Sequence, residues 1–331
     1  MFYSFTGKDA NEVWSKATSE LMSEQNITTP SRSGNNIELL HALIHIEDPT
    51  QRWTTNRVPP ISIGFALAEL IWILFGSKDA KVINYWNPSL PRFSGISDQY
   101  HGAYGYRIRH NFQIDQLERA YLTLKNNTDS RQVVISIWDP KIDSPDNQGQ
   151  PVNQDIPCNI CSLLKVRNNK LEWTQIMRSN DILLGLPYNL IQFTSLQEVI
   201  AGWLDVDIGS YTHYSDSLHL YCRDLEKVGI SNDLKILNKD SLFLGKEECF
   251  YNVNEIYKRM MKIAYNDNIS EDELYEISEL DSNSSAYRNI MYIITLYVAD
   301  RKGFKLLSER ILKKCTNELF VFLWRNWKGE K

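Results

Sequence analysis

The sequence predicts an α+β protein, a sheet packed by helices with a helical extension behind it, and three observations carry that reading. Three strand-like segments, RQVVISIW (131–138), PCNICSLLKV (157–166) and KLEWTQIM (170–177), follow one another across polar loops, and their β-branched and aromatic content suits strands. Two long apolar runs, residues 61–76 and about 188–203, have the length and all-round apolarity of buried helices. From about residue 230 the texture changes to amphipathic helices, among them NVNEIYKRMMKIA, SAYRNIMYIITLYVAD and FKLLSERILKKCTNELFVFLW.

In chain order, ANEVWSKATSELMSE reads as a helix, TTPSRSGNN as a polar turn, and the stretch up to residue 50 as either helix or strand. The buried run 61–76 follows. NPSLPRFSGISDQYHGAYG is dense in Pro, Gly and Ser and reads as a long loop, a kind that is usually functional inside a compact domain. Residues 114–125 read as a helix with Leu117, Tyr121 and Leu124 on one face. The three strands come next, then the second buried helix, then a strand in IGSYTHYSDSLHLY. The expected division is a domain over residues 1–228 and a helical C-terminal extension over 229–331.

Composition narrows the function. The chain has 331 residues, 43% of them hydrophobic, enough for a substantial core. A net charge of -5 provides no chain-wide basic field for nucleic acid or an anionic membrane. Any anion must be held by a few placed arginines. The beginning, MFYSFTGKDANEVW, lacks the apolar core of a signal peptide. The longest apolar run is short for a bilayer and carries Glu69 at its centre, so a cytoplasmic location is expected. Five scattered cysteines argue against a disulfide framework, and no second close pair joins Cys158 and Cys161 in a zinc site. Spacing alone leaves those two as small buried apolar residues, the usual state of free cysteine.

The segment MRSNDILLGLPYN (177–189) is the most informative. Its arginine and serine offer phosphate donors, with an aspartate, a glycine turn and an asparagine amide close behind. Singly, each suits a solvated strand end. Together with Pro157-Cys158 upstream and His219-Leu220-Tyr221 downstream, the string Arg178-Ser179-Asn180-Asp181, Gly185-Leu186-Pro187, Asn189 resembles the thymidylate synthase family. Matches in SRSG with Arg32, ELIWIL with Glu69, GAYG with Tyr104 and DSRQVVISIWDP with Arg131 extend the resemblance over about residues 12–224.

The resemblance implies a thymidylate synthase-like mixed sheet, two of which meet in a homodimer. It implies that Cys158 attacks carbon 6 of a pyrimidine nucleoside monophosphate, making carbon 5 nucleophilic towards a one-carbon unit from 5,10-methylenetetrahydrofolate. Arg178 is the candidate cation favouring the thiolate. Glu69, which is costly to bury without a task, is implied in the proton and water network at the base. Tyr104 is implied in proton removal from carbon 5, and Arg32, Arg178 and Ser179 in phosphate binding. Arg131 is implied to reach the partner subunit's site. His219 and Tyr221 are implied on the sugar, Asn189 on the pyrimidine edge, and Asp181 with Gly185 on the folate. No metal is implied. Cys161, one register along the strand, is expected to be core on the opposite face.

The chain departs from the family pattern at four places. Asn159 stands where synthases follow the nucleophile with histidine, and Gln132 replaces the second arginine of the dimer clamp. The tryptophan-rich segment is replaced by YWNPSLPRFSGISDQYHGAYG, and about a hundred residues follow where a synthase has a short closing tail. These departures point to the hydroxymethylase branch, with a water rather than a hydride completing the reaction. A thymidylate synthase methylating dUMP is the alternative, and an inactive nucleotide-binding scaffold the alternative of another class. Asn189 leans towards uracil; UMP, dUMP, CMP and dCMP all stay open.

Overall fold

The computed structural model describes residues 2–23, 28–31, 34–231 and 236–330. Arg32 lies outside them. The main sheet comprises β1 (Tyr3–Gly7), β2 (Thr28–Thr29), β3 (Asn36–Ile46), β5 (Val133–Ser136), β6 (Asn159–Arg167), β7 (Lys170–Met177), β8 (Asn180–Asp181) and β9 (Asp207–Tyr221). Its order is β1-β3-β9-β7-β6-β5, with β2 beside β3 and β8 beside β9. It is mixed: β1 runs parallel to β3 and β7 parallel to β9, while β3–β9, β6–β7 and β5–β6 are antiparallel. A separate ribbon joins β4 (Arg57–Val58) to β10 (Gly229–Ile230).

The first helices are α1 (Ala10–Leu21), α2 (Ile63–Phe75) and α3 (Ala80–Trp86). The Gly- and Pro-rich segment read as one loop holds the short helical turns α4 (Pro91–Ser94) and α5 (Tyr104–Tyr106), the latter running into a π-turn over Arg107–Asn111. Then come α6 (Gln116–Asn126), the turn α7 (Pro140–Asp143) and α8 (Leu186–Leu204). Helix α6 buries Leu117, Tyr121 and Leu124, as its periodicity predicts. Helices α1, α6 and α8 cover one face of the sheet. On that face β7 and β9 bury Leu171, Trp173, Gln175, Met177, Tyr211, His213 and Ser215.

The stretch left open between helix and strand is β3. His41 adopts a left-handed φ of 59°, and the pairing with β9 lapses at that residue while its register is the same on either side. Inward positions therefore change from Ile37 and Leu39 to Ala42, Ile44 and Ile46. A left-handed residue in mid-strand that reverses the alternation hides the strand period from the sequence. Strand β1, an edge strand, was not foreseen.

The C-terminal part of the chain holds α9 (Lys246–Ala264), α10 (Glu271–Ser278), α11 (Ser285–Lys302), α12 (Lys305–Lys314) and α13 (Glu318–Lys328). Helix α2 is apolar all round because it packs on α8 on one side and on α9, α11 and α13 on others. Phe75 stacks on Tyr257 at 3.8 Å between centroids, and Trp86 Nε1 donates to Ile294 O at 3.1 Å. A Cβ on Gly64 would come within 2.8 Å of Tyr297, so glycine permits this close approach. The buried Arg52–Glu198 ion pair ties the body to the connecting segment, since Glu198 also accepts from Ser241 and from Leu242 N. No described helix is long and apolar enough to cross a membrane.

Candidate active site

The nucleophile candidate is held at the mouth of β6. Cys158 is half-buried immediately before the strand, between the buried Pro157 and Asn159. Arg178, leaving β7, secures it: its N–H donates to Cys158 O at 3.0 Å, and its Nε and Nη2 donate to Pro157 O and Ile156 O at 3.1 and 3.2 Å. The guanidinium also lies 5.5 Å from the Trp138 ring centroid, in cation–π range. Arg178 thus places positive charge around the cysteine, with two of its donors committed to backbone.

Cys161 differs from its expected place. A register shift between Asn159 and Cys161 sets the burial phase at Ser162, Leu164 and Val166. Cys161 is half-buried with Leu163 and Lys165 on the other face, and burial still pushes its thiol up.

Four of the predicted residues converge. The Tyr104 phenol feels the charges of Cys158 and Glu69 and adjoins Asn159, and burial is the main reason its proton is held more tightly than usual. Glu69 sits in mid-α2 with its carboxyl enclosed by protein, which pushes it up to about 7. Gln192 Nε2 of α8 donates to it at 2.5 Å. Asn159 is fully buried and its Oδ1 accepts from Gln175 Nε2 at 2.8 Å. Its Nδ2 acts on the Tyr104 hydroxyl but makes no hydrogen bond of normal geometry. An orphaned buried donor costs about 1–3 kcal/mol, which a bound acceptor would recover.

A second group forms where β8 meets α8. Asn189 Nδ2 donates to Asn180 Oδ1 at 3.1 Å, and Asn180 Nδ2 lies 3.0 Å from His213 Nε2. His213 Nδ1 lies 3.0 Å from the Tyr211 hydroxyl. Burial drives His213 down to about 3 and keeps the ring neutral. Asp181 Oδ1 accepts from Leu183 N and Leu184 N at 2.7 and 2.8 Å, and Asp181 pairs with His219 across β8–β9. Burial raises Asp181 and lowers His219, while their opposite charges partly offset this in each. Gly185 caps α8, and a Cβ there would meet Asn180 Oδ1 at 2.7 Å. Tyr221 stands edge-on to His219 at 5.0 Å, and Ser179 is half-buried between β7 and β8. Arg131 is exposed ahead of β5 and bonds none of these residues.

Several members of this arrangement were not foreseen: Gln175, His213, Asn180, Gln192, Trp138 and Asp155. The first two left a legible trace, since Gln175 and His213 occupy inward positions of alternating strands, where an apolar residue is the rule. They pair directly across β7–β9. The others lie in loops, in the two-residue β8 or in the largely buried α8, and no periodicity singles them out.

This mixed sheet, with a cysteine before β6 and a buried carboxylate on α2 that both act on one tyrosine, defines a protein class. A model of the family described as thymidylate synthase matches residues 45–254. The chain belongs to the thymidylate synthase family. Among similar proteins, a deoxyuridylate hydroxymethyltransferase of Bacillus phage SP01 is 32% identical over 67% of this chain and 60% of its own length. One of Pseudomonas phage M6 is 34% identical over 51% of this chain and 48% of its own length. A thymidylate synthase of Francisella philomiragia subsp. philomiragia is 29% identical over 57% of this chain and 76% of its own length. The chain thus matches less than two thirds of the length of either phage relative.

Proposed function

We propose that the protein is a cytoplasmic one-carbon transferase that hydroxymethylates carbon 5 of a pyrimidine nucleoside monophosphate, with deoxyuridylate as the foremost substrate. The observation that carries the reading is the convergence of Cys158, Tyr104, Asn159 and Glu69. Cys158 adds to carbon 6 of the ring, and the electron pair delivered to carbon 5 attacks the one-carbon unit. Methylenetetrahydrofolate supplies that carbon as an electrophile. Tyr104, its phenol protonated, holds the water that takes the proton from carbon 5 as tetrahydrofolate leaves and an exocyclic carbon–carbon double bond forms, and Glu69, poised near neutrality, exchanges protons with the ring carbonyl through water.

Recognition follows from the second group. The Asn189 amide is anchored through its nitrogen to Asn180, leaving Oδ1 for the ring N–H of uracil and the remaining N–H for a carbonyl. His219 and Tyr221 take the sugar hydroxyl, and Arg178, Ser179 and Arg32 the phosphate. Asp181 suits the amino group of the pterin: its Oδ1 is engaged by two backbone N–H groups, and Gly185 lets the turn close beside it. Arg131, exposed ahead of β5, is placed to serve a partner copy in a homodimer. Residues 1–228 carry every site residue, and the 229–331 extension supports the far side of α2.

Asn159, in place of a histidine, and the similarity to phage hydroxymethyltransferases favour a hydroxymethyl over a methyl product. Incubation with methylenetetrahydrofolate and dUMP, UMP, dCMP or CMP, followed by mass spectrometry of the nucleotides, tests this. A hydroxymethyl product with tetrahydrofolate is expected. A methyl product with dihydrofolate would make it a synthase, and no product would overturn both.

A further inference from the structure

Asp155 is a carboxylate near the reacting centre with no role in the account so far. It lies where the exposed run 144–154 turns inward to the buried Pro157, three residues before Cys158. Its Oδ2 accepts from Gly102 N at 2.7 Å, fixing the turn that presents Tyr104. A Cβ on Gly102 would lie 2.9 Å from Asp155 O and 3.1 Å from its Oδ1, so this contact is close-packed. Ser94 bonds the same side chain.

The Tyr104 phenol therefore feels two carboxylates, Asp155 and Glu69. They differ in access. Glu69 is closed in by α2 and α8, whereas Asp155 is half-buried beside exposed segments, 144–154 and much of 92–99, that water can reach. Burial holds the Asp155 proton more tightly than in a free aspartate, against the Gly102 and Ser94 hydrogen bonds and the charges of His101 and Arg107. Tyr100 and Tyr104 are the other titratable groups it faces.

We propose that Asp155 is the catalytic base that activates the water completing hydroxymethylation, an inference that rests on the reaction proposed above. In this step the water oxygen bonds to the exocyclic carbon on carbon 5 of the Cys158-bound pyrimidine. The displaced double-bond pair moves into the ring as an enolate, and Asp155 accepts the water proton. The enolate pair then restores the 5,6 double bond as the carbon 6–sulfur bond breaks and Cys158 leaves as thiolate. Asp155 returns its proton to solvent, and nothing is oxidised or reduced.

The test uses dUMP carrying tritium at carbon 5, with methylenetetrahydrofolate. Tritium release reports the steps before water enters, and hydroxymethyl nucleotide reports the step itself. For Asp155→Asn, tritium release within about threefold of native is expected, with product formation down about 100-fold, the usual scale of a general base. A nucleotide adduct on Cys158 accumulates, and Asp155→Glu restores part of the turnover. Product formation within a few fold of native, or a parallel fall in both signals, overturns the proposal. If Asp155→Asn does not fold, native enzyme decides: conversion of accumulated adduct to product must quicken as pH rises while tritium release does not, and a flat profile overturns it. Native enzyme that releases tritium but forms only methyl nucleotide refutes the underlying reaction instead.

Discussion

Gln192 Nε2 of α8 donates to the Glu69 carboxylate of α2 at 2.5 Å. The bond lowers the carboxyl, but desolvation is the larger effect and leaves it near 7 instead of 4.5. In the unfolded chain the group ionises near 4.5, so its contribution to stability is full below that pH and is lost as pH rises through 7. At about 1.4 kcal/mol per unit the loss is about 3 kcal/mol at most. Glu69→Gln keeps an acceptor for Gln192 and removes the titration. Urea unfolding at about pH 5 and about pH 8 should show the variant gaining stability relative to native at the higher pH, with turnover lost at both; a pH-independent difference contradicts the assignment.

The Asn189–Asn180–His213 relay fixes the end of the amide that faces a base. Asn180→Ala leaves Asn189 Nδ2 and His213 Nε2 without their partner, at about 1–3 kcal/mol for the buried groups. Thermal unfolding should drop accordingly, and discrimination between dUMP and dCMP, measured as a ratio of kcat/KM, should narrow by about tenfold, the worth of about 1.4 kcal/mol. Unchanged discrimination would show that the relay is only structural.

Tyr104 depends on a glycine beside it. A Cβ on Gly105 would lie 2.3 Å from Ile73 O and 2.6 Å from its Cα, both backbone atoms of α2. Gly105→Ala must therefore push the turn off α2, at about 1–3 kcal/mol. Turnover should fall further than stability, because Tyr104 moves with the turn. Gly245→Ala, where nothing lies within 4 Å, is the control and should match native in both measurements.

The candidate site was legible where the family resemblance rests on an ordered string of residue types. Arg178, Asp181, Gly185 and Asn189 fall along one strand-turn-helix passage. Strands β6 and β7 and helices α2, α6 and α8 were legible from apolar patterning, because each has a face or a whole surface in the core. Strand β3 was not, since its inward phase changes midway at the left-handed His41. Tyr104 was identified, yet the helical and π-turn geometry around it was hidden by its glycines and prolines. Asp155 escaped notice because its importance comes from Gly102 and Tyr104, far away in sequence.

The central claim is that Cys158 becomes covalently bound to the pyrimidine. Enzyme turning over dUMP with methylenetetrahydrofolate should be denatured rapidly and the peptide containing Cys158 and Cys161 weighed and fragmented. A nucleotide mass on Cys158, absent from Cys158→Ala, which still binds dUMP but does not turn over, is the predicted result. An adduct on Cys161, or turnover by Cys158→Ala, would contradict the mechanism.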